Sequence, residues 1–127
     1  MSDAKQSVLL IDDDPLNREL FGEILGEQCT IHTAGNIETA MQIIDSEPLS
    51  AIVSDFHLGQ CDATELFQWV RSSHPDLAHR FVLLTGDKVA DLSLFDTQAT
   101  VLFKPVAIDL LLKTVTKLVN TNREPTL

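Results

Sequence analysis

Apolar and polar positions fall in blocks along this chain. Ser7-Val8-Leu9-Leu10-Ile11 is a continuous apolar run, too short for a helix and rich in branched residues, as in a strand buried on both faces. It stops at Asp12-Asp13-Asp14. Pro15 suits the first turn of a helix, and Leu16, Leu20, Phe21, Ile24 and Leu25 follow at helical spacing as far as Gly26. The alternation then repeats. Cys29 to Ala34 reads as a second strand, and Ile37, Ala40, Met41 and Ile44 mark one face of a helix that Asn36 caps and Pro48 follows. Leu49 to Ser54 is a third strand running into Asp55; after a polar loop, Leu66, Phe67, Trp69 and Val70 mark a helix ending near His74-Pro75. Phe81 to Leu84 and Thr100 to Phe103 are the fourth and fifth strands. A short helix is expected within Val89 to Gln98, and a last one over Ile108 to Val119 carries Leu111, Leu112, Val115 and Leu118.

Five strands alternating with about five helices, with nearly every strand apolar throughout, predict an α/β fold: a doubly wound parallel sheet with helices on both faces. Phe67 and Trp69 share their spacing with core residues and are read as packing. No linker, repeat or low-complexity segment interrupts the pattern, so residues 1–127 are expected to form one domain, with a core of about 6–120 and a frayed polar tail over 120–127.

The 127 residues are 44% hydrophobic, enough for one core burying roughly two-thirds of the unfolded surface. Nineteen acidic against nine basic residues give a net charge of −10, the wrong sign for binding nucleic acid or anionic lipid. No apolar run approaches the ~20 residues of a membrane helix, and Met1 to Lys5 lacks the apolar stretch of a signal peptide. The expectation is a cytoplasmic protein without membrane contact. Cys29 and Cys61 have no metal-type spacing and are read as free thiols.

In an open parallel sheet, ligands bind beyond the carboxyl ends of the strands. Those ends carry Asp12, Asp13 and Asp14 after strand one, Asp55 after strand three, Thr85-Gly86 after strand four and Lys104-Pro105 after strand five. Carboxylates gathered there repel one another and stay ionised only if a cation or a lysine compensates. Hard oxygen donors without a competing His or Cys cluster favour Mg²⁺ or Mn²⁺. A hydroxyl from Thr85 and the Lys104 ammonium suit phosphoryl oxygens, and a carboxylate can attack phosphorus. The set predicts an aspartyl-phosphate site. Asp14 is the least secure of the acids and is also read as a helix cap.

These strand-end residues, in this order, resemble the receiver domain of two-component response regulators over residues 6–120. The resemblance implies a flavodoxin-like (βα)5 three-layer sandwich. It implies that Asp55 is the phosphoacceptor, that Asp12, Asp13 and Asp55 hold the metal together with the His57 backbone carbonyl, and that Thr85 hydrogen-bonds the phosphoryl group and moves on activation. Lys104 would pair with Asp55 before phosphorylation and with the phosphoryl group afterwards, across a cis bond to Pro105, while Gly86 leaves Thr85 room to swing. The donor would be a histidine kinase or a histidine phosphotransfer protein. The altered Thr85 region would then change binding to an unknown downstream protein. The implied protein is a monomer or weak dimer, and no enzyme beyond accepting and slowly losing its own phosphoryl group.

Four features depart from the commoner pattern. The loop after Asp55 carries Leu58-Gly59 and Asp62-Ala63; His57 and Asp87 stand two residues beyond Asp55 and Thr85, flanking the water path to a phosphoryl group; Val101 replaces a switch aromatic; and only 18 residues separate Thr85 from Lys104. The short segment predicts a short or irregular helix before strand five and an unconventional output surface. The His57 imidazole, His32, His74 and His79 are read as surface groups. Two other readings fit parts of the chain. Leu9 to Leu16 resembles the opening motif of haloacid-dehalogenase-type phosphohydrolases with Asp12 as nucleophile, and the Val101 segment is compatible with a pseudo-receiver that binds partners without phosphorylation.

Overall fold

A computed structural model describes residues 6–87, 90–96 and 98–123. In chain order the strands are β1 (Ser7–Ile11), β2 (Thr30–Ala34), β3 (Ala51–Asp55), β4 (His57–Leu58), β5 (Cys61–Asp62), β6 (Phe81–Thr85) and β7 (Thr100–Phe103). The helices are α1 (Pro15–Gly26), α2 (Ile37–Ser46), α3 (Thr64–Ser73), α4 (Pro75–Ala78), α5 (Ser93–Asp96) and α6 (Ile108–Arg123). Five strands form one parallel sheet in the order β2-β1-β3-β6-β7, while β4 and β5 pair antiparallel with each other. The order reverses between β1 and β3, creating the switch point of a doubly wound fold.

Alternation along the strands separates two cores. Leu9, Ile11, Ile52 and Leu83 face a cluster built with α2, α3, α4 and α5; Val8, Leu10, Val53, Val82 and Leu84 face one completed by Leu25 of α1 and by Leu111, Val115 and Val119 of α6. The central strands β3 and β6 are buried at every residue, but β2 and β7 lie at the edges and are partly exposed. The apolar strand runs are thus fully buried at the centre of the sheet and less so at its edges.

Other differences have local causes. Leu16 and Leu20, read at helical spacing with the other apolar residues of α1, are 74% and 52% exposed: they form a stripe about 140° around the helix from Phe21 and Leu25, which meet the sheet. The polar loop after Asp55 contains the β4–β5 hairpin, turned at Gly59 with φ +74°, a conformation that glycine supplies without strain. Pro75 starts the extra single turn α4 after α3 ends. Helix α6 continues past Val119 to Arg123, so the tail expected from residue 120 is helical at its start.

The segment before β7 is reduced as its length predicts. Among its described residues only Ser93–Asp96 is helical, and the start of the expected helix at Val89 lies outside the described residues. Phe95 anchors this turn: it is fully buried against Phe67 and meets Phe56 and Phe81, with ring centroids 4.9, 6.1 and 6.4 Å away. Phe67 is fully buried as expected, while Trp69 is partly buried against the same core and the His74 ring.

Candidate functional site

Sheet register brings the candidate residues into one row. Ile11 lies opposite Ser54, Asp55 opposite Leu84 and Thr85 opposite Phe103, so Asp12, Asp55, Thr85 and Lys104 follow one another across neighbouring strand ends. Backbone hydrogen bonds carry the alignment past the ladder: Phe56 N–H donates to the Leu84 carbonyl at 2.8 Å, and Lys104 N–H to the Thr85 carbonyl at 2.8 Å.

Asp12 is buried and held on three sides. Its N–H donates to the Ala34 carbonyl at 3.1 Å, its carboxylate Oδ1 accepts from Asp14 N–H at 2.9 Å, and its carbonyl accepts from Arg18 Nη1 at 2.7 Å. Asp13 is exposed beside it. Asp14 points away as the N-cap of α1, its Oδ1 accepting from Leu16 N–H at 3.0 Å, which settles its role as a cap.

Asp55 is only 7% exposed, and its Oδ1 lies 2.5 Å from Lys104 Nζ. Burial pushes its carboxyl above the ordinary carboxylate value; the Lys104 hydrogen bond pulls it down, and the charges of Asp12 and Asp13 push it up again. A divalent cation would relieve that opposition. One carboxylate oxygen from each of Asp12, Asp13 and Asp55 lies within 4.8 Å of the others, while ligands on an octahedral Mg²⁺ stand on the order of 3–4 Å apart. A small closure would bring them onto one ion. Asp13 keeps the site open to solvent, matching the preference of Mg²⁺ for retaining water. The residues therefore fit a hard divalent cation.

Thr85 is 1% exposed, and its Oγ1 accepts from Asp87 N–H at 3.0 Å. Gly86 beside it is exposed, and a methyl there would stand 3.7 Å from Lys104 Cβ, so the space it leaves is modest. Lys104-Pro105 is cis. His57 opens the β4–β5 hairpin; its side chain is 63% exposed and its Nε2 sits 3.2 Å from Asp87 Oδ2, joining the loops after β3 and β6.

Sequence reading did not anticipate this His57–Asp87 pair or the Arg18 contact to Asp12. The first joins two loops that only the folded sheet brings together, and the second is local but ends on a backbone carbonyl, which side-chain pattern does not reveal. His74, read as a surface group, is partly buried and lies 2.9 Å from Asp45. Among the described residues no helix is long and apolar enough to cross a membrane.

Five parallel strands with three carboxylates, a hydroxyl and an ammonium gathered at their carboxyl ends define a doubly wound α/β domain with an acidic pocket at the switch point of its sheet. The chain belongs to the response regulator receiver domain family, matching it over residues 8–116. A Rhizobium etli protein named "Probable chemotaxis protein CheY" is 31% identical over 88 residues, covering 66% of this chain and 68% of its own. The response regulator protein PilR of Pseudomonas aeruginosa is 29% identical over 73 residues; the match covers 57% of this chain and 16% of PilR.

Among solved structures, a CheY-like receiver domain from Methanospirillum hungatei shares the fold with TM-score 0.84 and 21% identity, covering 94% of this chain and 98% of its own. The response regulator TrrA of Thermotoga maritima, solved in complex with Mg²⁺-BeF, has TM-score 0.79 and 28% identity, covering 89% and 98%. Membership in the receiver family displaces the phosphohydrolase likeness of Leu9 to Leu16. The chain is a two-component signalling domain.

Proposed function

We propose that Asp55 accepts a phosphoryl group from a histidine kinase or a histidine phosphotransfer protein, and that the resulting change around Thr85 alters binding of a downstream protein. The observation that carries this reading is the buried Asp55 carboxylate, set between the Asp12–Asp13 pair and Lys104. Asp12, Asp13 and Asp55, with the His57 backbone carbonyl, are the groups that would hold Mg²⁺ or Mn²⁺, which supplies positive charge to the phosphoryl oxygens when bound. An Asp55 oxygen attacks phosphorus; the new O–P bond forms as the P–N bond to the donor imidazole breaks, and the released nitrogen keeps that electron pair. Lys104 then follows the charge from the carboxylate to the phosphoryl group. Thr85 Oγ1 leaves the Asp87 amide to hydrogen-bond a phosphoryl oxygen.

The donor's docking face is read from α1. Leu16 and Leu20 stand exposed on it, and Asn17 and Phe21 of the same helix line a groove of about 240 Å³ with Lys104, the partner of Asp55. An apolar stripe joined to the acceptor in this way suits the protein that delivers the phosphoryl group. Such a relay is expected in the cytoplasm, where ATP-dependent kinases work.

Asp55→Asn should abolish labelling by acetyl phosphate and binding of beryllofluoride in the presence of Mg²⁺. Labelling equal to wild type would remove Asp55 from the acceptor role. Leu16→Asp should slow transfer from a phosphorylated histidine protein severalfold while leaving acetyl phosphate labelling at the wild-type rate.

A further inference from the structure

Arg18 lies on α1, outside the set of groups that touch a cation or a phosphoryl group, yet its guanidinium is committed to the acidic turn. Its Nη1 donates to the Asp12 backbone carbonyl at 2.7 Å. The same guanidinium lies over Gly35, where an added Cβ would stand 2.7 Å from Nη1 and 3.3 Å from Cζ. Gly35 follows β2, and the last residue of that strand, Ala34, accepts the Asp12 N–H at 3.1 Å. Both backbone groups of Asp12 are thereby anchored, one to the end of β2 and one to the arginine that rests on the next residue. The Asp12 carboxylate is restrained separately by Asp14 N–H.

We propose that Arg18 is a positioning residue for the divalent-cation site: it holds the Asp12 backbone so that the Asp12 and Asp13 carboxylates are presented to the ion together. This rests on the reading that Asp12, Asp13 and Asp55 bind Mg²⁺. Electrostatics alone predicts the opposite sign, because a guanidinium on the acidic turn repels an incoming cation, and its removal would tighten binding. Positioning predicts weaker binding when the anchor goes, since outer groups that orient metal ligands commonly govern affinity by about tenfold or more. The direction of the change therefore separates the two roles.

Two variants test it. Arg18→Met removes the donor and the charge; Gly35→Ala keeps the charge but places a methyl where the guanidinium rests, displacing the end of a flexible side chain and leaving every acid in place. Mg²⁺ affinity is measured directly by calorimetry, with Mn²⁺ electron paramagnetic resonance as a second readout, alongside the Mg²⁺ dependence of acetyl phosphate labelling. The expected result is a loss of roughly tenfold in affinity for both variants, with labelling recovering toward wild type at saturating Mg²⁺. Affinity equal to or tighter than wild type in Gly35→Ala, or in a folded Arg18→Met, overturns the proposal. Absence of Mg²⁺ binding in the wild-type protein, or its persistence in Asp13→Asn, would instead overturn the reading of the acids on which it rests.

Discussion

Asp55 closes a strand whose residues are all buried, and the resulting desolvation is the largest influence on its carboxyl, raising it above the ordinary value against the pull of Lys104. An acid raised in this way favours the folded state when protonated; that contribution is fully present below the unfolded value near 3.8 and is lost as pH rises through the folded one. Ionised Asp55 therefore weakens the fold at neutral pH. Asp55→Asn, with Lys104 exposed enough for water to solvate it, should raise stability at pH 7 without Mg²⁺. Thermal melts across pH check it: the gain should shrink toward zero below pH ~4. A gain independent of pH would assign the effect to packing. His57 and Asp87 make a separate prediction. Their pair joins the two loops that flank Asp55, and Asp87→Ala should open that span to water and shorten the lifetime of the phosphorylated state severalfold, measured by loss of ³²P label.

At the level of elements, the short segment between β6 and β7 depends on one ring. Helix α5 is a single turn, and Phe95 inserts it into the aromatic cluster of Phe56, Phe67 and Phe81. Phe95→Ala should cost about 3–5 kcal/mol in urea denaturation. Here sequence and structure also part company for identifiable reasons. The central strands were legible because continuous runs such as Val8-Leu9-Leu10-Ile11 are buried on both faces, and the site was legible because its side chains follow those strands directly. Leu16 and Leu20 misled because helical spacing shows that two stripes exist, not which one meets the sheet. The β4–β5 hairpin was hidden because two-residue strands carry no periodicity, although Gly59 marks its turn. Arg18 escaped notice because its partner is a backbone carbonyl, which has no signature in side-chain pattern.

For the molecule as a whole, a charge of −10 and a cluster of acids at one end of the sheet make stability depend on ions. A ligand that binds only the folded chain stabilises it by RT ln(1 + [L]/Kd), about 1.4 kcal/mol at ten times Kd. Saturating Mg²⁺ should raise the melting midpoint of wild type by several degrees, and much less in Asp13→Asn; equal shifts in both would point to general screening of the acidic surface. The strand order also fixes a sequence of events during synthesis. Asp12 and Asp13 follow β1 and Asp55 ends β3, whereas Lys104 follows β7, the last strand of the sheet and an edge strand beside β6. On a ribosome the three carboxylates are in the emerged chain for some fifty residues before the only fixed positive charge that faces Asp55 among the described contacts leaves the exit tunnel. Throughout that interval, the nascent chain's acids have counterions from solution as their compensation, and the free Mg²⁺ around the ribosome becomes part of the environment in which this domain first folds.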